Sequence, residues 1–127
     1  MVYRNFIQTD EAPKAIGPYS QGVAIGDLVF LSGQIALIPE TGEMLKGSVT
    51  EEVKQIFKNI DALLRSKNLT FENVVKVTIF LTDMSKFSEV NTEYAKYFPE
   101  NPPARSCVGV ASLPRSAQVE IEVIAGM

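Results

Sequence analysis

Residues that can do chemistry gather near the C-terminal end of the sequence. Arg105 stands two residues before Cys107, the lone cysteine, in "PPARSCVGV", and Glu120 and Glu122 alternate with apolar residues in "VEIEVIA". An arginine can hold a carboxylate through two parallel hydrogen bonds, and a glutamate can act as a general base. The thiol is either a nucleophile or a small, inert apolar residue. The question is whether the fold brings these groups together.

The composition limits the available chemistry. The chain has no histidine, which excludes Ser-His and Cys-His nucleophile systems and leaves zinc without its usual ligands. One cysteine cannot form an internal disulfide. A net charge of −3, without a run of basic residues, argues against non-specific nucleic-acid binding. We therefore expect no metal and no nucleic-acid partner, and we expect proton transfer by a carboxylate, lysine, tyrosine or the thiol.

Length and the first residues indicate domain number and compartment. The 127 residues predict a single domain over residues 1–127. The opening "MVYRNFIQTD" lacks the apolar core of a signal peptide, and no apolar run is long enough to span a membrane. We therefore expect a cytoplasmic protein without a membrane partner.

Two kinds of periodicity predict the elements that must position the candidate residues. Alternating apolar residues between turn signals predict six strands. These strands lie within residues 2–8, 21–34 (two strands), 73–84, 104–110 and 118–124. Apolar spacings of three and four predict a helix that begins near Ser48, where Ser48 and Glu51 fit a capping box and Thr50 is an equally good N-cap.

A second helix is predicted over residues 85–98, capped by Asp83 or Ser85 and ended by Pro99. The element order is then β-β-β-α-β-α-β-β. Both helices are apolar on one side only. This pattern predicts an α+β fold, a two-layer sandwich in which a single mixed sheet carries both helices on one face.

Side-chain parity predicts which residues share a sheet face. In the last predicted strand the apolar residues point one way, and Glu120 and Glu122 point the other. If the valines of the preceding strand also face the helices, Arg105 and Cys107 lie on the same helix-free face as the glutamates, in a hairpin. The strand before the second helix adds Lys76, Thr78 and Phe80 to that face.

Two interpretations of this face remain open. A sheet face of mixed polar and apolar character is commonly covered by another copy of the chain. In the plainer interpretation, Arg105 and Glu122 form a cross-strand ion pair worth about 0.2–1 kcal/mol, Cys107 is inert and Glu120 is solvated.

The whole sequence resembles the Rid family, the reactive intermediate deaminases also called the YjgF family. The resemblance rests on "AIGPYSQGV" at 15–23, "FLSGQI" at 30–35, "PETGE" at 39–43, and "NPPARSCVGVASLP" with "VEIEVIA" within 101–125. It implies a chorismate-mutase-like fold and a homotrimer with sites in the clefts between subunits. It also implies cofactor-independent hydrolysis of 2-imino acids, mainly 2-iminobutanoate and 2-iminopropanoate, to 2-oxo acids and ammonia.

The resemblance also implies roles for individual residues. Arg105 would anchor the substrate carboxylate, and Glu120 would position and deprotonate the attacking water. The further substrate-binding positions that it implies are Cys107, Tyr19, Ser32, Gly33 and Asn91. For Cys107 we favour the backbone N–H as the ligand contact. The other positions keep plain alternatives, which are a packed aromatic for Tyr19, a tight bend at Ser32-Gly33 and a surface residue for Asn91.

Other functions remain open as well. A binding module that senses a 2-oxo acid or an amino acid without catalysis would use Arg105 equally well, but it would not need a base at Glu120. Nuclease and chaperone activities are also attached to the family. The acidic net charge disfavours a nuclease, and a chaperone would need exposed apolar surface.

Overall fold

The computed structural model describes residues 3–127 and contains one six-stranded sheet with two helices. The strands are β1 (Asn5–Ile7), β2 (Gly22–Ile25), β3 (Leu28–Leu31), β4 (Val74–Leu81), β5 (Ala104–Gly109) and β6 (Val119–Gly126). The helices are α1 (Val49–Arg65) and α2 (Phe87–Tyr94). The predicted α+β sandwich with a mixed sheet is confirmed, although Val2, the first residue of the predicted first strand, lies outside the described residues.

The sheet order is β1-β2-β3-β6-β4-β5, and only the β4–β5 pair is parallel. The predicted hairpin of the last two strands is therefore wrong, because β4 lies between β5 and β6. The apolar side of β6 explains its central place. Val119, Ile121 and Val123 are at most 2% exposed, whereas β5 is exposed along most of its length and forms the edge.

Helix α1 covers the sheet as predicted. Ser48, not Thr50, is its N-cap: the Ser48 hydroxyl accepts from the Glu51 N–H at 3.2 Å, and the Glu51 carboxylate accepts from the Ser48 N–H at 3.2 Å. Its apolar side packs on the sheet, with Val53, Ile56, Phe57, Ile60, Leu63 and Leu64 at most 1% exposed. Within residues 3–127, no helix combines the length and apolarity that a membrane crossing requires.

Helix α2 is shorter than the predicted 85–98. It is preceded by a 3₁₀ turn that Asp83 caps by accepting from the Ser85 N–H at 3.0 Å, and it ends at Tyr94. The aromatic spacing continues beyond that end, because Tyr97 stacks on Phe57 with ring centroids 4.3 Å apart. Tertiary packing of these rings, rather than helical backbone, accounts for the apolar pattern that the sequence shows there.

Candidate functional site

Arg105 lies on the edge strand β5 and contacts α2 along the length of that helix. Its Nη1 donates a hydrogen bond of 2.7 Å to the amide oxygen of Asn91. Its Cζ lies 4.8 Å from the ring centroid of Tyr94 and 5.4 Å from that of Phe87. Three residues of one helix therefore hold an exposed guanidinium at the rim of the sheet.

Cys107 follows Arg105 on the same side of β5 and packs partly buried against the core. Burial raises the pKa of its thiol, and the charge of Arg105 opposes this only in part. A raised pKa favours the protonated thiol, which is a poor nucleophile. The side chain is therefore better suited to form a wall than to attack a substrate.

The backbone of Cys107 faces a different direction. The Val110 N–H donates to the Leu81 carbonyl of β4 at 3.0 Å. Because successive N–H groups alternate along a strand, the N–H groups of Arg105, Cys107 and Gly109 point away from β4, toward the outer edge of the sheet. This direction fits the expectation that Cys107 offers its backbone N–H to a ligand.

The prediction that Arg105 and Cys107 share a face with Glu120 and Glu122 is wrong. In the parallel β4–β5 pair, Arg105 lies beside Val77 and Cys107 beside Ile79, so both point to the helix side. Glu120 lies opposite Phe80 on the helix-free side. Parity separated the two faces of β5 correctly but oriented them wrongly, since Val108 is apolar yet 43% exposed on the open face.

Glu120 and Gly33 form the second part of the candidate site. A Cβ built on Gly33 would lie 3.0 Å from Glu120 Cδ and closer still to Oε2, so glycine leaves the space that the carboxylate occupies. Burial raises the pKa of Glu120, and the charge of Glu122 raises it further. The carboxylate is consequently a stronger base than a solvent-exposed glutamate.

A β-bulge brings Gly33 beneath this carboxylate. β3 and β6 pair at Phe30↔Ile124, and the next pair is Gln34↔Ile121, so residues 31–33 oppose only residues 122–123. Bulges of this kind redirect side chains and recur next to active sites. The irregularity at Ser32-Gly33 thus places a glycine against Glu120.

Ser32 connects the bulge to the loop that carries Tyr19. Its hydroxyl donates to the Ser20 carbonyl at 2.5 Å, and its N–H donates to the Gln21 carbonyl at 3.0 Å. Tyr19 is 53% exposed, and its hydroxyl oxygen accepts from the Ile16 N–H at 3.2 Å. This exposure does not fit a packed aromatic, and the hydroxyl hydrogen remains suited to donate to a ligand.

Tyr19, Gly33 and Glu120 line one small cleft of about 130 Å³, with Pro114 on its wall. The sequence did not point to Pro114, which lies in the loop between β5 and β6. Gln21 was also missed. Its buried amide donates to the Thr9 carbonyl at 3.0 Å and to the Pro13 carbonyl at 2.8 Å, which fixes the loop that carries Tyr19.

The contacts of α2 with Arg105 are not evident from the apolar pattern of the helix. The apolar spacing of the second helix by itself favours core positions for Phe87 and Tyr94 and an outward position for Asn91. The positions 87, 91 and 94 are four and three residues apart and thus share one helix face. The signal in the sequence was this shared helix face together with an arginine on a strand, which could have indicated that the three side chains contact Arg105.

The described site residues form two half-sites on opposite faces of the sheet. We call the first the arginine half-site, made of Arg105, Cys107 and Asn91, and the second the glutamate half-site, made of Tyr19, Ser32, Gly33 and Glu120. Within the described chain, no group of three or more His, Cys, Asp or Glu side chains is placed to hold a metal ion.

The chain is similar to known proteins over nearly its whole length. Residues 9–127 match the sequence model of the family described as Endoribonuclease L-PSP. The mouse 2-iminobutanoate/2-iminopropanoate deaminase is 46% identical over 124 residues, which cover 98% of this chain and 92% of that protein.

Solved structures show the same fold. A putative endoribonuclease from Thermotoga maritima has a TM-score of 0.94 and 48% identity, with 97% of each chain covered. The E. coli protein TdcF, crystallised with bound serine, has a TM-score of 0.92 and 40% identity, with 97% of this chain and 98% of that chain covered. The chain therefore belongs to the Rid family of reactive intermediate deaminases.

Proposed function

We propose that the protein hydrolyses 2-imino acids, chiefly 2-iminobutanoate and 2-iminopropanoate, to 2-oxo acids and ammonia. The observation that carries this proposal is the pair of half-sites. In the first, neutral groups hold an exposed arginine in place. In the second, a half-buried glutamate has a pKa that is raised by burial. An anchor for a carboxylate and a base for water are the two groups that this hydrolysis needs.

Glu120 carries the proton in each step. It takes a proton from water as the water oxygen bonds to the imine carbon, and the C=N π electrons move to nitrogen. The resulting carbinolamine receives that proton on its nitrogen. The hydroxyl proton then passes to Glu120, Glu120 transfers it to the nitrogen, and the C–N bond breaks as the carbonyl forms and ammonia leaves. Such acid–base help contributes about 10²–10⁴-fold.

The other site residues bind and shield the substrate in this proposal. Arg105 pairs with the substrate carboxylate, and the outward N–H of Cys107 donates to the same ligand. Tyr19 donates its hydroxyl hydrogen, while Gly33 allows close approach to the backbone. No cofactor is required, because imines already hydrolyse in water and a modest acceleration suffices.

A second copy of the chain completes the site. Arg105 and Glu120 lie on opposite faces of one sheet, so the two half-sites meet only when the open face of one copy lies beside the edge strand of another. That open face is rich in exposed apolar side chains, with Phe6 at 56%, Phe30 at 41% and Val108 at 43% exposure. Such a surface favours association, and we propose the homotrimer that the family resemblance implies.

The relatives support this assignment. The mouse relative carries the name of the proposed reaction, and the E. coli relative was crystallised with serine, an amino acid whose carboxylate resembles that of a 2-imino acid. The Thermotoga relative is called a putative endoribonuclease. A nuclease is disfavoured for this chain by a net charge of −3 and the absence of histidine.

A coupled assay tests the proposal. A threonine dehydratase releases 2-iminobutanoate, and its decay is followed with and without the protein. We expect faster decay with the wild-type protein and a loss of about 10²-fold or more in Glu120→Gln. No acceleration by the correctly assembled wild type would contradict the proposed reaction.

The alternative is a binding module without catalysis, which the serine bound to the E. coli relative favours. Calorimetry with 2-oxobutanoate separates the two functions. If the protein is a hydrolase, Glu120→Gln should bind 2-oxobutanoate within about tenfold of the wild type while losing hydrolysis. Binding by the wild type without any effect on imine decay would establish the binding module instead.

A further inference from the structure

The partners of the Arg105 guanidinium are all neutral. One is the amide oxygen of Asn91, and the others are the rings of Phe87 and Tyr94. Three ion pairs occur within residues 3–127, and Arg105 takes part in none of them. The guanidinium is thus fixed in place while its positive charge remains uncompensated.

The chemistry of these partners explains how position and charge are separated. An amide oxygen accepts one of the five guanidinium N–H donors and brings no negative charge. Aromatic rings attract a cation through their quadrupoles and likewise leave its charge intact. Aspartate at position 91 would have nearly the same shape as asparagine, yet it would form an ion pair with the guanidinium.

Glu93, two residues after Asn91 on the same helix, is held by other partners. Glu93 is 3% exposed and accepts from Lys96 Nζ at 2.9 Å and from the Tyr97 hydroxyl at 2.9 Å. These two hydrogen bonds lie on the far side of α2 from Asn91 by helical spacing. Glu93 therefore has its own donors and does not compete for Arg105.

We propose that Phe87, Asn91 and Tyr94 form a charge-preserving clamp, in which Asn91 is a positioning residue that keeps Arg105 oriented and free for an anion. This inference rests on the proposed function and specifies its substrate class. The site selects ligands with an ionised carboxylate over neutral analogues of the same shape, such as the corresponding amides. Asn91 contributes to this selectivity because it orients Arg105 and, being neutral, leaves the positive charge of Arg105 available to the ligand.

The test compares three variants with the wild type. Asn91→Asp adds a charge at nearly constant shape, and Asn91→Leu removes the acceptor without adding a charge. Thr92→Asp is the matched control, because it adds the same charge at a neighbouring exposed position on α2. Calorimetry measures binding of 2-oxobutanoate and of 2-oxobutanamide, thermal melting reports folding, and the coupled imine assay gives kcat and KM.

We expect Asn91→Asp to bind 2-oxobutanoate about 10- to 100-fold more weakly, the scale of a lost charge-assisted interaction. Binding of 2-oxobutanamide should change little in the same variant. The ratio of the affinity for 2-oxobutanoate to the affinity for 2-oxobutanamide should therefore fall by about 10- to 100-fold. KM should rise while kcat changes less, because the carboxylate contact holds substrate and transition state alike. Asn91→Leu should lose clearly less carboxylate affinity than Asn91→Asp, and Thr92→Asp should behave as the wild type.

Several results would overturn the clamp. Wild-type carboxylate preference in Asn91→Asp would do so, as would equal losses in Asn91→Leu and Asn91→Asp, which would indicate a purely structural role. If Asn91→Asp fails to fold, a wild-type preference in Asn91→Leu with unchanged kcat and KM would still refute the positioning role. A wild-type protein that binds neither ligand would also contradict it.

The outcome is separable from that of the proposed reaction. If the wild type binds 2-oxobutanoate with the expected variant pattern but does not hydrolyse imines, the clamp stands and the hydrolase does not. If hydrolysis is found and Asn91→Asp keeps the carboxylate preference, the hydrolase stands and the clamp does not.

Discussion

Gly33→Ala should inactivate the protein without unfolding it. The added Cβ would lie 3.0 Å from Glu120 Cδ and closer to Oε2, whereas non-bonded carbon atoms ordinarily approach to about 3.5–4.0 Å. The carboxylate must therefore move by about 1 Å, and a displacement of that size at a reacting group costs about 10²-fold in rate. The displaced group is the end of a flexible side chain, so the free energy of unfolding should change by less than about 1 kcal/mol.

Gly126→Ala is the matched control, since its added Cβ would meet other atoms only at 3.9 Å or more. Both variants are compared by kcat in the coupled imine assay and by denaturant unfolding. We expect kcat to fall about 10²-fold in Gly33→Ala and to stay near the wild-type value in Gly126→Ala. Equal kcat values for the two variants would refute the argument that the Gly33 contact sets the position of the base.

Four further outcomes follow from the site. Arg105→Lys should keep the fold and lose about 10- to 100-fold in kcat/KM, because an ammonium lacks the planar fork; wild-type kinetics would contradict the anchor. Cys107→Ala should change kcat by less than about threefold in the same assay, because burial raises the pKa of the thiol and only the backbone N–H faces the edge; a collapse of kcat would indicate a reacting thiol. Tyr94→Phe should raise the free energy of unfolding by up to about 1 kcal/mol, since the Tyr94 hydroxyl is buried without a partner in the described chain. A clear decrease in the free energy of unfolding, measured with denaturant, would indicate that the hydroxyl has a partner such as a ligand or a second copy. Burial raises the pKa of Glu120, and a general base works only when it is deprotonated. As the pH is lowered, kcat should therefore begin to fall at a higher pH than it would with a glutamate of ordinary pKa. A pH–rate profile without this acidic limb would contradict the role of Glu120 as the base.

The elements with strong local signals were predictable. The Ser48–Glu51 capping box and the one-sided apolar spacing gave α1, and the alternation of β6 correctly separated Glu120 from the buried Val119 and Ile121. Each of these signals depends on neighbours within a few residues. The end of α2 was not predictable in this way, because Tyr97 continues the apolar spacing after the helical backbone has stopped.

The spatial relation between the half-sites could not be read from the sequence. The alternation of side chains in β5 defines two faces, and both faces carry residues that tolerate burial. The alternation therefore does not indicate which face packs against the helices. The answer depends on β4, which pairs with β5 in parallel and directs Arg105 toward Asn91. Sequence order placed β5 and β6 side by side, whereas the pairing of both strands with β4 separates them. The single-domain assignment, the cytoplasmic location and the independence from cofactors stay predictions.

A subunit-mixing experiment tests the central claim most directly. Arg105→Ala and Glu120→Gln proteins, each inactive alone, are unfolded together in equal amounts and refolded, and imine decay is measured. If each site takes Arg105 from one copy and Glu120 from another, about one quarter of the sites in randomly mixed oligomers are intact, and activity should recover to about one quarter of the wild-type value. Mixed oligomers that remain as inactive as the two parent variants would contradict a shared site.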